Sequence, residues 1–137
     1  MSVITGGCAC GGVRYEVGEP FVSSNYCHCT RCQRRTGTGA SANARTADGT
    51  FRIVQGEGLV KCWDPGRGFL KCFCSNCGSA LYSCDPVTKR DIAVRLGTVD
   101  GDPGIRPDRH QFTDYAAVWE PIPVDGLPRF PESSRGR

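Results

Sequence analysis

No stretch of a dozen residues in this chain carries apolar side chains at i, i+3, i+4 and i+7, the spacing that would give a helix one buried face. Short alternating segments recur instead. Val13, Tyr15 and Val17 share one side before Gly18-Glu19-Pro20 interrupts them, and Phe51 and Ile53 alternate with Arg52 and Val54 before Gly56-Glu57-Gly58. Leu59 to Trp63 and Phe69 to Cys74 flank Asp64-Pro65-Gly66-Arg67-Gly68, a connection with Pro and Gly at turn positions, so this pair predicts a hairpin. Further strands are expected at Ala80–Ser83, Ile92–Leu96 and Tyr115–Trp119. The pattern predicts an all-β domain of several small antiparallel sheets, with about eight strands separated by Gly/Pro turns.

Residues 97–114 form a long polar connection, of the kind that carries function or moves. Nothing resembling a linker divides the chain, so one domain is expected over residues 1–132, with 133–137 as a frayed tail. The 137 residues allow one modest core. With Gly 18 and Pro 9, composition also argues against long helices.

Charge and targeting patterns narrow the partners. Lys+Arg 17 against Asp+Glu 14 leaves a formal +3, too weak and too dispersed to imply a nucleic-acid or membrane partner. The first eight residues have no basic stretch followed by an apolar one, and no apolar run approaches the roughly 20 residues that span a bilayer. A cytoplasmic protein with reduced thiols is the expectation. In that setting 10 cysteines point to metal ligands before disulfides.

The cysteines are grouped. Cys8-Ala9-Cys10-Gly11-Gly12 precedes the first alternating segment, Cys27-His28-Cys29-Thr30-Arg31-Cys32 lies further on, and Cys72-Phe73-Cys74-Ser75-Asn76-Cys77-Gly78 ends the hairpin. Cys62 and Cys84 stand alone. A C-x-x-C turn can place two sulfurs on one tetrahedral ion, and Zn²⁺ suits several thiolates best. Spacing alone leaves the ligand sets open. C-x-C-x-x-C occurs at Cys27, Cys29 and Cys32 and again at Cys72, Cys74 and Cys77, and either triplet could be a three-sulfur site with an open position.

Gly7-Cys8-Ala9-Cys10-Gly11-Gly12-Val13-Arg14-Tyr15, then Cys27-His28-Cys29-Thr30-Arg31-Cys32 with Thr36-Gly37, then Phe73-Cys74-Ser75-Asn76-Cys77-Gly78-Ser79 together resemble the glutathione-dependent formaldehyde-activating enzyme family, which also includes the centromere protein V domain. The resemblance runs from about residue 5 to about residue 120. It implies small coiled β-sheets around zinc, a β-tent. It implies a closed structural zinc site of Cys8, Cys10, Cys74 and Cys77, and a second zinc on Cys27, Cys29 and Cys32 with its fourth position open. Cys62, Cys72 and Cys84 are then left as packed side chains in strands.

Two zinc ions per chain with seven thiolates would cancel the formal +3. The implied activity is that of a carbon–sulfur lyase, in which a thiol such as glutathione binds at the open site and condenses with formaldehyde or a similar electrophile. Arg31, Arg34 and Arg35 flank that site and are candidates for holding the thiol's carboxylates. His28, between two ligands, is expected to point away from the metal. His110, on the long connection with Asp108 and Asp114, is the acid/base candidate. Trp63 and Trp119 are expected in the core or a pocket wall. Two other classes stand beside the enzyme: a non-catalytic zinc module like centromere protein V, and a redox protein using Cys27 and Cys32 as a dithiol.

Overall fold

A computed structural model describes residues 2–134. Strands β1 (Val3–Gly7) and β2 (Arg14–Gly18) form an antiparallel hairpin, and β5 (Phe51–Gln55) pairs with the other edge of β2. Alternation works here as expected: Val13, Tyr15 and Val17 are all buried on one side. The first cysteine motif forms the loop between β1 and β2, because a strand precedes it that glycine-poor apolar patterning would not reveal in Val-Ile-Thr-Gly-Gly.

The second sheet has eight strands in the order β11-β10-β3-β4-β9-β8-β7-β6. These are β3 (Ser23–Cys27), β4 (Ser41–Arg45), β6 (Val60–Trp63), β7 (Leu70–Cys74), β8 (Ala80–Cys84), β9 (Ala93–Arg95), β10 (His110–Gln111) and β11 (Arg129–Phe130). Every pairing is antiparallel except those of β10, which runs parallel to both β3 and β11. The protein is mainly β, built of sheets with short strands.

One face of each sheet supplies the core. Ile4, Tyr15, Val17, Phe21, Ala44 and Val94 make its largest part. Cys8, Val13, Cys74 and Leu81 form a second cluster, so two candidate ligand cysteines are themselves core residues. Burying a side chain of this size stabilises by about 1.5–3 kcal/mol, and a core this small leaves room for metal to matter.

Several expectations change. Among the described residues one α-helix, α1 (Thr30–Thr36), follows the second cysteine motif. It is too short to show a periodic stripe. Its local marks are the Cys29 side chain capping the Cys32 N–H and left-handed Gly37 closing the C-terminus. The segment Tyr115–Trp119 is not a strand. Left-handed Phe112 turns the chain into a 3₁₀ turn at Thr113–Tyr115, and Val118 and Trp119 then lie exposed with no neighbouring strand. Trp63 is also half exposed, on an edge strand, so neither tryptophan belongs to the core.

Cys72 and Cys84 are buried in strands, but Cys62 is exposed and joined to Cys72 by a disulfide. The hairpin register sets Cys62 directly opposite Cys72, two residues off the pairing that a turn confined to Asp64–Gly68 would give. Of the expected tail, Ser134 donates its backbone N–H and hydroxyl to Gln111 Oε1, and residues 135–137 lie outside the described region. Among the described residues no helix is long and apolar enough to cross a membrane.

Candidate metal centres and a cationic cavity

Two cysteine groups form. Cys8, Cys10, Cys74 and Cys77 bring their sulfurs within 4.8 Å of one another, and so do Cys27, Cys29 and Cys32. In the first group the Sγ atoms of Cys8 and Cys10 are 3.5 Å apart, and those of Cys10 and Cys74 are 3.9 Å apart. A tetrahedral ion with metal–sulfur bonds of about 2.3 Å requires sulfur–sulfur edges of roughly 3.8 Å. The four thiols therefore fit such an ion, and none of them is spent in a disulfide. Thus Cys72 stands outside both groups.

The loops are shaped for this. The Cys8 sulfur accepts the Val13 N–H at 3.2 Å, and Gly78, at φ +79°, donates its N–H to the Cys74 carbonyl at 2.8 Å. Gly56 has φ +77°, and a side chain there would run into the Gly12 backbone, so β5 can lie against the Cys8–Gly12 loop only as glycine. The Cys77 thiol is drawn down to about 5, first by the Ser79 hydroxyl, then by backbone N–H groups. This group ties the β1–β2 turn to the β7–β8 turn.

The second group sits where β3 ends and α1 begins. Cys32 is held well below the ordinary thiol range by hydrogen bonds from Cys27 and Cys29, while Cys27 is pushed up by the same contacts and by burial. One thiolate is stabilised by its two neighbours and further ionisation is opposed by repulsion. A cation between the sulfurs removes that opposition, so these residues fit a metal ion as well. No fourth His, Cys, Asp or Glu of the described residues joins them.

Above this trio lies a cavity of about 610 Å³. Its floor is the polar face of the larger sheet. Cross-strand register sets Asn25 beside Asn43 and Asn43 beside Arg95. A second row runs from Arg45 through Ala93 and Ser83 to Lys71. The core-facing neighbours Ser24, Ala44, Val94 and Cys72 occupy the other side of the same strands. Burial lowers the basicity of both Lys71 and Arg95, with repulsion from Arg95 adding to the shift of Lys71 and repulsion from Arg35 adding to that of Arg95, while the thiols of the trio oppose both shifts. Asn43 Oδ1 accepts from Arg95 Nη1 at 2.6 Å.

The arginines beside the second motif separate. Arg31 lines the cavity and donates to the Arg67 carbonyl at 3.3 Å. Arg34 is exposed, and Arg35 lies over the Phe73 ring at 5.4 Å; neither lines the cavity. His28 points away from the cysteines, as expected, into a hydrogen bond with His110. His110 is not a surface acid/base on a loop. It is a buried residue of β10, its two ring nitrogens are engaged by His28 and Asp125, and it does not line the cavity. Asp108 pairs with Arg109 instead. Arg45, Lys71, Arg95 and Arg109 were not singled out by sequence, since each is a lone cation in its own segment and only the fold unites them.

The family model of the glutathione-dependent formaldehyde-activating enzyme matches residues 3–115. The chain belongs to this family. A Halomonas elongata protein named "Putative glutathione-dependent formaldehyde-activating enzyme" is 29% identical over 133 residues, covering 88% of this chain and 81% of its own. The crystal structure of a Rhodobacter sphaeroides protein matches with a TM-score of 0.57 at 23% identity, over 91% of this chain and 98% of that one, and shows a shared fold. Within the family frame the two cysteine groups are sites that could hold metal ions.

Proposed function

We propose that this chain is a zinc-dependent carbon–sulfur lyase-type enzyme that joins a thiol to formaldehyde or a similar small carbonyl. Cys8, Cys10, Cys74 and Cys77 are read as the structural zinc site, and Cys27, Cys29 and Cys32 as the second. The observation carrying the reading is the three-thiol group with no fourth side-chain donor among the described residues, opening on a cavity large enough for a small molecule. Zinc there would supply positive charge that favours the thiolate form of an incoming thiol at neutral pH.

The chain's own residues do the rest. Lys71, Arg95 and Arg31 offset the charge of the sulfurs and orient an anionic substrate, and the cavity walls hold the two reactants together. In the condensation the substrate sulfur bonds to the carbonyl carbon, the carbon–oxygen π bond breaks, and the thiol's proton ends on the new hydroxyl. The reverse is the lyase direction. Seven free candidate ligand cysteines against one disulfide, Cys62–Cys72, favour a reducing compartment, so we place the protein in the cytoplasm.

The test replaces zinc with cobalt and follows its visible and charge-transfer bands. Adding 2-mercaptoethanol or glutathione should change the bands of wild type, and the product of added formaldehyde should appear by NMR. The reading fails if every thiol leaves the bands unchanged.

A further inference from the structure

The cavity beside Cys27, Cys29 and Cys32 is lined by Arg31, Arg45, Lys71, Arg95 and Arg109 and, among the described residues, by no carboxylate. Two of these cations have acidic neighbours outside the lining: Arg45 with Asp91 at 3.9 Å, and Arg109 with Asp108 at 2.7 Å. The charges acting most strongly on Lys71 are those of Arg95, Cys32, Arg31 and Cys29, and on Arg95 those of Cys32, Cys27, Arg35 and Cys29, with no carboxylate among them.

The side-chain amide oxygens of the lining already accept hydrogen bonds. Asn25 Oδ1 accepts from Asn43 Nδ2, Asn43 Oδ1 accepts from Arg95, and Gln111 Oε1 accepts both the N–H and the hydroxyl of Ser134. Apart from its serine hydroxyls and the three sulfurs, what the cavity offers a ligand is therefore donors and positive charge. An anion placed here gains charge-assisted hydrogen bonds, with guanidinium forks suited to carboxylate or phosphate. An ammonium placed away from the three sulfurs meets like charge and no carboxylate, a juxtaposition that costs affinity.

We propose that the thiol this cavity selects carries two or more anionic groups and no ammonium group. This rests on the thiol reading given above and narrows its substrate class. Glutathione satisfies the carboxylate requirement but brings an ammonium beside one of its two carboxylates. Lys71 and Arg95 are the specificity-determining residues, since they sit on the cavity floor in adjacent rows.

The matched probe is glutathione against its des-amino analogue, in which a glutaryl group replaces the γ-glutamyl group. The two share the thiol and both carboxylates and differ by the ammonium alone. Calorimetric titration of the zinc-loaded full chain should find the des-amino compound at least about tenfold tighter. Mercaptosuccinate and 2-mercaptoethyl phosphate should both bind more tightly than cysteamine, and the tighter of the two names the anion. Lys71→Met and Arg95→Met should weaken des-amino glutathione about tenfold or more beyond whatever change they cause in 2-mercaptoethanol binding.

Glutathione binding as tightly as its des-amino analogue would overturn the proposal. So would Lys71→Met and Arg95→Met proteins that remain folded yet bind both compounds as wild type does. The S-methylated forms of the pair separate this from failure of the thiol reading. They cannot donate a thiolate, so they report the ionic preference even if no thiol perturbs the cobalt bands.

Discussion

His28 Nε2 and His110 Nδ1 share a hydrogen bond of 2.8 Å in the protein interior, linking the loop of the open cysteine group to a strand 82 residues further along. The other nitrogen of His110 meets Asp125 Oδ2 at 2.8 Å, and Tyr26 stacks on the His110 ring with centroids 5.2 Å apart. Asp125 is itself fixed by the Leu127 N–H. The chain of contacts therefore holds the backbone between Cys27 and Cys29 from behind, on the side away from the cavity.

His110→Ala should destabilise the protein by about 2–4 kcal/mol, because it opens a void and leaves His28 without its partner in a buried place. Asp125→Asn should cost far less, since its amide still reaches the His110 ring and the residue is partly exposed. Urea unfolding at pH 7 compares them. Equal losses would mean that the aspartate, not the buried ring, carries the link.

Metal content distinguishes the two cysteine groups. Wild type should purify with about two zinc ions per chain and Cys29→Ser with about one, its far-UV circular dichroism unchanged. Cys74→Ser should give little soluble protein, because Cys74 lies in the core and its group joins turns some 65 residues apart; a structural zinc contributes on the order of 10 kcal/mol to folding. Elemental analysis and circular dichroism of both variants check this. Identical behaviour would dissolve the division into a structural and a working site.

What could be read in the chain follows from where side-chain chemistry is periodic. Val13, Tyr15 and Val17 alternate in large apolar groups and identify β2, while β7 is marked by the Asp64–Gly68 turn that precedes it. Strand β4, Ser-Ala-Asn-Ala-Arg, has no large apolar residue, and β10 and β11 have two residues each, so pattern has nothing to act on. Tyr115–Trp119 shows the converse, a short apolar run without a partner strand. Cysteine spacing announces metal, but the division of ligands between sites came from family resemblance. The cavity cations were hidden because Arg45, Lys71 and Arg95 become neighbours only through cross-strand register.

The Cys62–Cys72 disulfide closes the hairpin whose turn includes Gly68 and Phe69, both in the cavity wall. With 10 residues of separation, chain-entropy reasoning assigns it about 2–3 kcal/mol. Cys62→Ser should lose that amount in denaturant unfolding without reductant. Because Cys62 is exposed, the substitution opens no cavity, and wild type and variant should coincide once reductant is added. A difference that persists in reductant would assign the loss to packing.

Asp100 gives the protein an acid-sensitive clasp. Its carboxylate accepts from the Arg14 guanidinium and from the Thr5 hydroxyl at 2.7 Å, and its backbone N–H donates to the Thr5 carbonyl. Arg14 first, and Thr5 second, hold the carboxyl below its ordinary value. The folded state therefore binds fewer protons at acidic pH than the unfolded state does. The stabilisation is fully present above the unfolded carboxylate's value of about 4 and drains away as pH falls through the folded one. Asp100→Asn removes this contribution. Its melting temperature should lie a few degrees below that of wild type at pH 6–7, and the two should converge below about pH 4. Added salt should narrow the gap at neutral pH, because both partners are partly exposed and their charges are screened. Asp85, Asp102 and Asp125 are also held low, but they contribute equally to both proteins, so the difference between the two curves isolates Asp100. A gap that stays constant from pH 7 to pH 3 would show that the residue acts through packing and backbone contacts alone.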